Sequence, residues 1–274
     1  MKANELLAYL ALITRGDRAA IINHIRQKTP VNFEEVTRVA AGIPTKYVTL
    51  VDEDYPSAFK DLANPPLTLF YRGNLALLSD SSRCVSFIGT RKPSSYGLQM
   101  ARTLAGGYAS RGGVVVSGLA SGIDGECLRA ALPYGKGVAI LGNGLGYYYP
   151  NENRDLQKQL ETDGLVITEY PFDVGPAQAH FPTRNRLIAA CSCALSVIEA
   201  HPHSGTAITV AEAMAIGRDI GAVPFHADEE SICNMLIQEG AMMLQNADDI
   251  YHLLDWRSGY RYDERQQENL DNDK

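Results

Sequence analysis

Apolar residues recur along this chain in two rhythms, and the change between them falls near residue 83. Before it they return every three or four positions. Leu6, Leu7, Leu10 and Ile13 share one face of a predicted helix over 3–13, and similar spacing predicts helices over 17–28 and 32–41. Gly16-Asp17, Thr29-Pro30 and then Gly42 with Pro44 punctuate the three segments. A bundle of about 45 residues is too small for a sizeable core of its own, so it is expected to pack on the larger part of the chain. Residues 48–82, with Pro56, Pro65 and Pro66, read as a connector carrying one apolar stretch, Leu67 to Tyr71, that ends at Gly73.

From Cys84 short β-branched runs alternate with helix-length segments. Strands are predicted at 84–88, 114–117, 137–141, 165–169, 194–200, 220–223 and 242–244. Helices are predicted near 96–111, 124–132, 153–161, 183–190, 206–217 and 231–239. The alternation implies an α/β fold with a doubly wound, mostly parallel sheet. Residues 257–274 form a polar, charged tail whose composition is that of a mobile segment.

The totals exclude several classes. Of 274 residues, 45% are apolar and 21% charged, the balance of a soluble globular protein. No apolar run approaches the ~20 residues that span a bilayer. The first residues carry Glu5 and run into Arg15, Asp17 and Arg18, which reads as an amphipathic helix and not a signal peptide. A cytoplasmic protein without membrane association is expected. Five cysteines, Cys84, Cys127, Cys191, Cys193 and Cys233, form no C-x-x-C pair, and their odd number fits no disulfide framework; they read as buried thiols. His201-x-His203 lacks a carboxylate at matching spacing, so no metal is expected.

The net charge of −7 at first argues against nucleic acid, but its distribution reverses that inference. Residues 1–82 balance at 9 basic and 9 acidic, residues 83–190 hold 11 basic and 8 acidic, and residues 191–274 hold 5 basic and 15 acidic. The Gly-rich middle is the least acidic part, and local field steers a polyanion.

Three successive predicted strands end in glycine, at Gly89-Thr90-Arg91-Lys92, Ser117-Gly118 and Gly142-Asn143-Gly144, and Ser204-Gly205-Thr206 adds a fourth turn. Ligands of open α/β sheets bind beyond the carboxyl ends of the strands, where glycine lets a phosphate approach main-chain N–H groups. Neither a G-x-x-x-x-G-K-[ST] loop nor a G-x-G-x-x-G fingerprint is present, which disfavours an NTPase or a nicotinamide enzyme and implies no nucleotide cofactor. Arg184-Asn185-Arg186 opens a helix beside Phe181, whose ring suits either base stacking next to guanidinium groups or ordinary core packing. Asp124 and Glu126 stand at a helix start and read as caps rather than general bases. Tyr147-Tyr148-Tyr149 is a second aromatic cluster, fit for bases or for covering a sheet edge.

With these residues in hand the chain resembles the DNA-processing protein A family (DprA, also called Smf). The likeness is carried by Ile88-Gly89-Thr90-Arg91, by Ser117 to Asp124, by Leu141-Gly142-Asn143-Gly144-Leu145, and by Tyr149-Pro150-Asn151-Glu152-Asn153. It continues through Glu169-Tyr170-Pro171, Phe181 to Arg186, Glu199-Ala200, Ser204-Gly205-Thr206, Ala222-Val223-Pro224 and Asn234 to Ala241. The resemblance implies an extended Rossmann-like DNA-binding domain over 83–256. Before it would come a small helical, SAM-like domain over 1–60, with its connector reaching about 82. It also implies a homodimer, not an enzyme, that binds single-stranded DNA, protects incoming strands during natural transformation and helps load RecA-type recombinase. Carried over by motif, Arg91, with Lys92 attached, pairs with phosphates beside the amides of Gly89 and Thr90. Ser117 and Gly118 end the neighbouring strand. Arg184 and Arg186 line the same pocket, Asn185 orients it, Phe181 contacts a base, and Ser204, Gly205 and Thr206 close the rim. The arginines must then converge on one mouth of the fold.

Departures are Ser121 where the family usually has Arg or Lys, Phe225 where Gly is common, and Cys233 where Gly is usual. The winged-helix domain of longer members is not expected, since only residues 245–274 follow the last predicted strand. The competing reading is a nucleoside-monophosphate phosphoribohydrolase of the cytokinin-activating (lysine-decarboxylase-like) type. Ser204-Gly205-Thr206 followed by Glu212 loosely resembles that family's P-G-G-x-G-T-x-x-E motif, with the glutamate three residues late.

Overall fold

Three short helices open the chain, the second and third starting at side-chain caps. α1 spans Ala3–Ile13, α2 Arg18–Arg26 and α3 Phe33–Ala41. The Asp17 carboxylate accepts from the N–H groups of Ala19 and Ala20, and the Asn32 side chain from those of Glu34 and Glu35. A computed structural model describes residues 2–201 and 204–255; His203 and the polar tail from 257 lie outside the described residues.

The segment expected to be a connector supplies two strands, β1 (Lys46–Thr49) and β2 (Thr68–Gly73). They pair antiparallel with Thr49 opposite Thr68. β2 holds most of the apolar stretch Leu67 to Tyr71, but the turn-rich run between the two strands, closed by Pro65-Pro66, breaks the periodicity that would have announced a hairpin. The remaining elements come in alternation: β3 (Cys84–Gly89), α4 (Ser95–Ser110), β4 (Val114–Ser117), α5 (Ile123–Ala131), β5 (Gly137–Leu141), α6 (Arg154–Asp163) and β6 (Leu165–Thr168). Then come α7 (His180–Cys191), β7 (Ala194–Glu199), α8 (Gly205–Ala215), β8 (Asp219–Ala222), α9 (Ile232–Gln238), β9 (Met242–Met243) and α10 (Ala247–Asp255). The last helix lies outside the predicted spans; it packs on α4, its Tyr251 ring 5.2 Å from that of Tyr108.

The strands of the described residues form one sheet in the order β1-β2-β6-β5-β4-β3-β7-β8-β9. β2 runs antiparallel to β6, and the pairs from β6 across to β9 are parallel. Successive side chains go to opposite faces. Val85 and Phe87 join one buried cluster with α1, α4, α5 and α10, while Cys84 and Ile88 join the other with α7, α8 and α9. This is a doubly wound, mostly parallel sheet, as the alternating pattern predicts. Its strand order reverses at β3, so a crevice opens between the loops after β3 and β7.

Phe70 of β2 is fully buried in the same cluster as Leu7 and Leu10 of α1 and Leu104 of α4. Phe70→Ala is expected to cost about 3–5 kcal/mol, read as a fall in the urea midpoint; an unchanged midpoint would show that α1 and the sheet do not share this core.

Candidate nucleic-acid interface

A cleft of about 810 Å³ occupies that crevice. The β3–α4 loop forms one wall with Thr90, Arg91 and Lys92, α7 another with Phe181, Arg184 and Asn185, and the start of α8 the rim with Ser204, Gly205 and Thr206. The loop that carries Arg91 is held from below. The Thr90 N–H donates to the Glu199 carbonyl at 2.7 Å, and the buried Glu199 carboxylate accepts from the Ser94 N–H at 3.0 Å and from its hydroxyl at 2.9 Å. Arg91 and Lys92 themselves are exposed. Glu199 thus commits its charge to the loop and leaves two cations facing the cleft.

Arg91 stands beside an aromatic pair. Its guanidinium carbon lies 5.9 Å from the centre of the Phe181 ring, and that ring stacks on Tyr149 at 5.6 Å with 29° between planes. Phe181 is half-buried and Tyr149 exposed. The ring thus forms part of the cleft wall, packed on Tyr149 and over Gly142. Across the rim, α8 starts without a side-chain cap, and the Ser204 hydroxyl is buried without a partner. The first-turn N–H groups of Gly205 and Thr206 have no acceptor within the helix and carry the positive end of its dipole.

Arg184 has a different task. It is 4% exposed, and its Nη1 donates to the carbonyls of Gly118, at 2.7 Å, and Ile140. Its Nε donates to Asn185 Oδ1 at 3.2 Å. Burial pulls its pKa down to about 10, against the pull of Asp124, with the charge of Arg91 adding to the fall; it remains a cation at neutral pH. The guanidinium therefore ties the ends of β4 and β5 together and offers the cleft only its remaining edge. Burial likewise raises the Asp124 carboxyl, opposed by Arg184 and by the N–H groups of Ala120 and Gly118. Asp124 secures the loop before α5 and does not cap that helix; Glu126 instead pairs with Arg102 and Arg129.

Several expected contacts are already made within the protein. The Gly118 N–H is taken by Asp124 at 3.1 Å and that of Thr90 by Glu199, so neither is free for phosphate. Ser117 is fully buried and its hydroxyl donates to the Phe87 carbonyl at 2.6 Å, which removes it from the cleft. The glycines are explained by side chains rather than ligands. A Cβ at Gly118 would meet the Arg184 guanidinium at 2.6 Å, one at Gly142 the Phe181 ring at 2.9 Å, and one at Gly89 Ile123 at 2.6 Å; only Gly205, of the four turns, opens on empty space. Arg186 does not line the cleft. Its Nη2 donates to Glu169 Oε2 at 2.6 Å, in a pair that is 15% and 9% exposed at the end of β6. Arg91 and Arg184 converge as expected and Arg186 does not, because alternate positions on α7 face different neighbours. Glu212 is likewise absent from the cleft lining.

Two residues that sequence reasoning gave no role brace these walls. Asn153 is 2% exposed; its Nδ2 donates to the carbonyls of Leu119 and Ala120 at 3.0 and 2.9 Å, and its Oδ1 accepts from Arg129 at 2.6 Å. It holds Leu119 in the left-handed region, at φ 57°. Glu199 is the other. Both stand within the motifs of the resemblance, but a buried acid at a strand end carries no sequence mark of the loop it will hold.

Comparison with known proteins agrees with this architecture. Residues 46–255 match the model of the family described as DNA recombination-mediator protein A. The chain belongs to that family. It is one of recombination mediators rather than of enzymes. Within it, the chain is 34% identical over 259 residues to the DNA processing protein DprA of Bacillus subtilis, covering 91% of this chain and 85% of that one. The crystal structure of DNA processing protein A from Streptococcus pneumoniae superposes with a TM-score of 0.74 at 33% identity, over 85% of this chain and 81% of that one. The Helicobacter pylori family member, whose structure is described for its single-stranded DNA binding mode, gives a TM-score of 0.70 at 30% identity over 80% and 99%.

The departures from the family pattern are accommodated locally. Ser121 lines a small pocket behind the Phe181–Tyr149 pair. Phe225 packs edge-on against Tyr96 at 5.3 Å, and Cys233 is fully buried, its N–H donating to the Ser231 hydroxyl.

Removing the buried brace tests its assignment. Arg184→Ala leaves the Gly118 and Ile140 carbonyls and the Asp124 carboxylate without their cation, and is expected to cost about 3–5 kcal/mol of stability. Chemical denaturation measures this, and a wild-type midpoint would return Arg184 to the role of a pure ligand contact.

Proposed function

We propose that the cleft holds single-stranded DNA without reading its sequence. The protein then acts, as a homodimer, in natural transformation, protecting incoming single strands and assisting the loading of a RecA-type recombinase. The observation that carries this reading is the succession Arg91, Phe181, Tyr149. A guanidinium pairs with a phosphate of any nucleotide, and two stacked rings present a face that any base can cover. Lys92 and the uncapped start of α8 add positive charge on either side. The wider family and the Helicobacter pylori structure point to the same ligand class.

Arg91→Ala is expected to weaken binding to all single-stranded sequences about equally and to lower the slope of log affinity against log salt by about 0.7, one phosphate contact. Fluorescence anisotropy across a salt series measures both, and sequence-selective loss or an unchanged slope rejects the assignment. Phe181→Ala is expected to cost about 1–3 kcal/mol of binding by the same assay.

Glu199 gives a prediction of opposite sign to simple electrostatics. Deleting an acid beside a polyanion site ordinarily strengthens binding. Here Glu199→Ala releases the Arg91 loop, and a loss of about 1–2 kcal/mol of affinity is expected. Tighter binding of the variant in the anisotropy assay would show that the loop needs no such tether.

A further inference from the structure

Tyr148 and Tyr149 are adjacent, yet their rings serve different neighbours. Tyr149 stacks on Phe181 at the cleft, while the half-buried Tyr148 ring lies 5.5 Å from the Arg154 guanidinium carbon and 5.7 Å from Lys158 Nζ. Arg154 and Lys158 are one turn apart on α6, both exposed, so a ring flanked by two cations stands one residue before Tyr149, while Lys158 also borders a second hollow with Lys46 and Asn74. Arg154 makes no ion pair among the described residues. Lys158 has only a loose surface partner, Asp155, at 3.7 Å with that side chain 91% exposed. A pair of that kind is worth about 0–1 kcal/mol, little enough for a phosphate to displace.

We propose that this face of α6 is a second contact for the same single strand. A nucleotide leaving the cleft past Tyr149 lies against Tyr148, with its phosphates on Arg154 and Lys158. The inference rests on the reading of the cleft as a single-strand site. Exposed Glu152 and Asp155 on the same stretch lower the local field, so the patch does not capture a strand by itself. It gains a strand only when the cleft already holds one end, which raises the local concentration of the next phosphates. The patch therefore lengthens the footprint without creating an independent site.

The test uses the full chain and thymidine oligomers of about six and about twenty nucleotides, below and above the span of the cleft. In the double variant Arg154→Ala/Lys158→Ala, both at exposed positions, affinity for the short oligomer is expected to stay at the wild-type value. Affinity for the long one is expected to fall about tenfold, with the salt slope smaller by about 1.4, two phosphates of a single strand. Equal loss at both lengths, or none at the longer, overturns the proposal. The latter is also the outcome if long oligomers merely bridge the clefts of two protomers. Failure of the unsubstituted protein to bind either length instead defeats the reading of the cleft, and is recognised before any variant is made.

Discussion

A cation buried at the mouth of a parallel sheet is the constraint on which this structure turns. The ends of β4 and β5 present main-chain carbonyls to a region no other strand covers, and the Arg184 guanidinium satisfies one from each. Asp124 supplies the opposing charge and takes the Gly118 N–H in return. Such an arrangement costs desolvation and is retained only with its hydrogen bonds complete. Once it is in place, Gly118 has to be a glycine, α7 is drawn against the strand ends, and Phe181 arrives beside Arg91.

The cleft is consequently built in two layers. Asp124, Asn153, Glu199 and most of the Arg184 guanidinium are engaged by protein groups beneath the cleft surface. Arg91, Lys92, Tyr149 and the first turn of α8 are outward-facing and lightly held. This separation resolves the tension between an overall charge of −7 and a polyanionic ligand. The carboxylates of Glu199 and Asp124 are engaged within the fold, the first by Ser94 and His201 and the second by the Gly118 N–H.

Much of the fold is legible from periodicity because a two-faced sheet imposes it. The parallel strands from β3 to β9 and the helices between them fall within a few residues of the spans read from hydrophobic spacing. β1 and β2 escape that reading because the run between them is full of turn residues. α10 keeps helical spacing at Ala247, Ile250, Tyr251 and Leu254, yet it is a single short helix that runs directly into the polar tail. The site is legible in its parts and not in its allocation. Arginine and glycine mark a phosphate-binding mouth in sequence, but a guanidinium that reaches outward and one that turns inward are written with the same letter. Arg91, Arg184 and Arg186 look alike until packing assigns one to the cleft wall, one to the carbonyls beneath it and one to Glu169.

The fit between α4 and β7 has one more implication. A Cβ on Gly97 would fall 1.8 Å from Glu199 Oε2, so the helix start, the acid and the preceding loop interlock without slack. That wall is rigid before any polynucleotide arrives. The disorder surrendered on complex formation then belongs largely to the flexible polymer and to the side chains of Arg91 and Lys92. The protein contributes a shape whose ordering was completed when the chain folded.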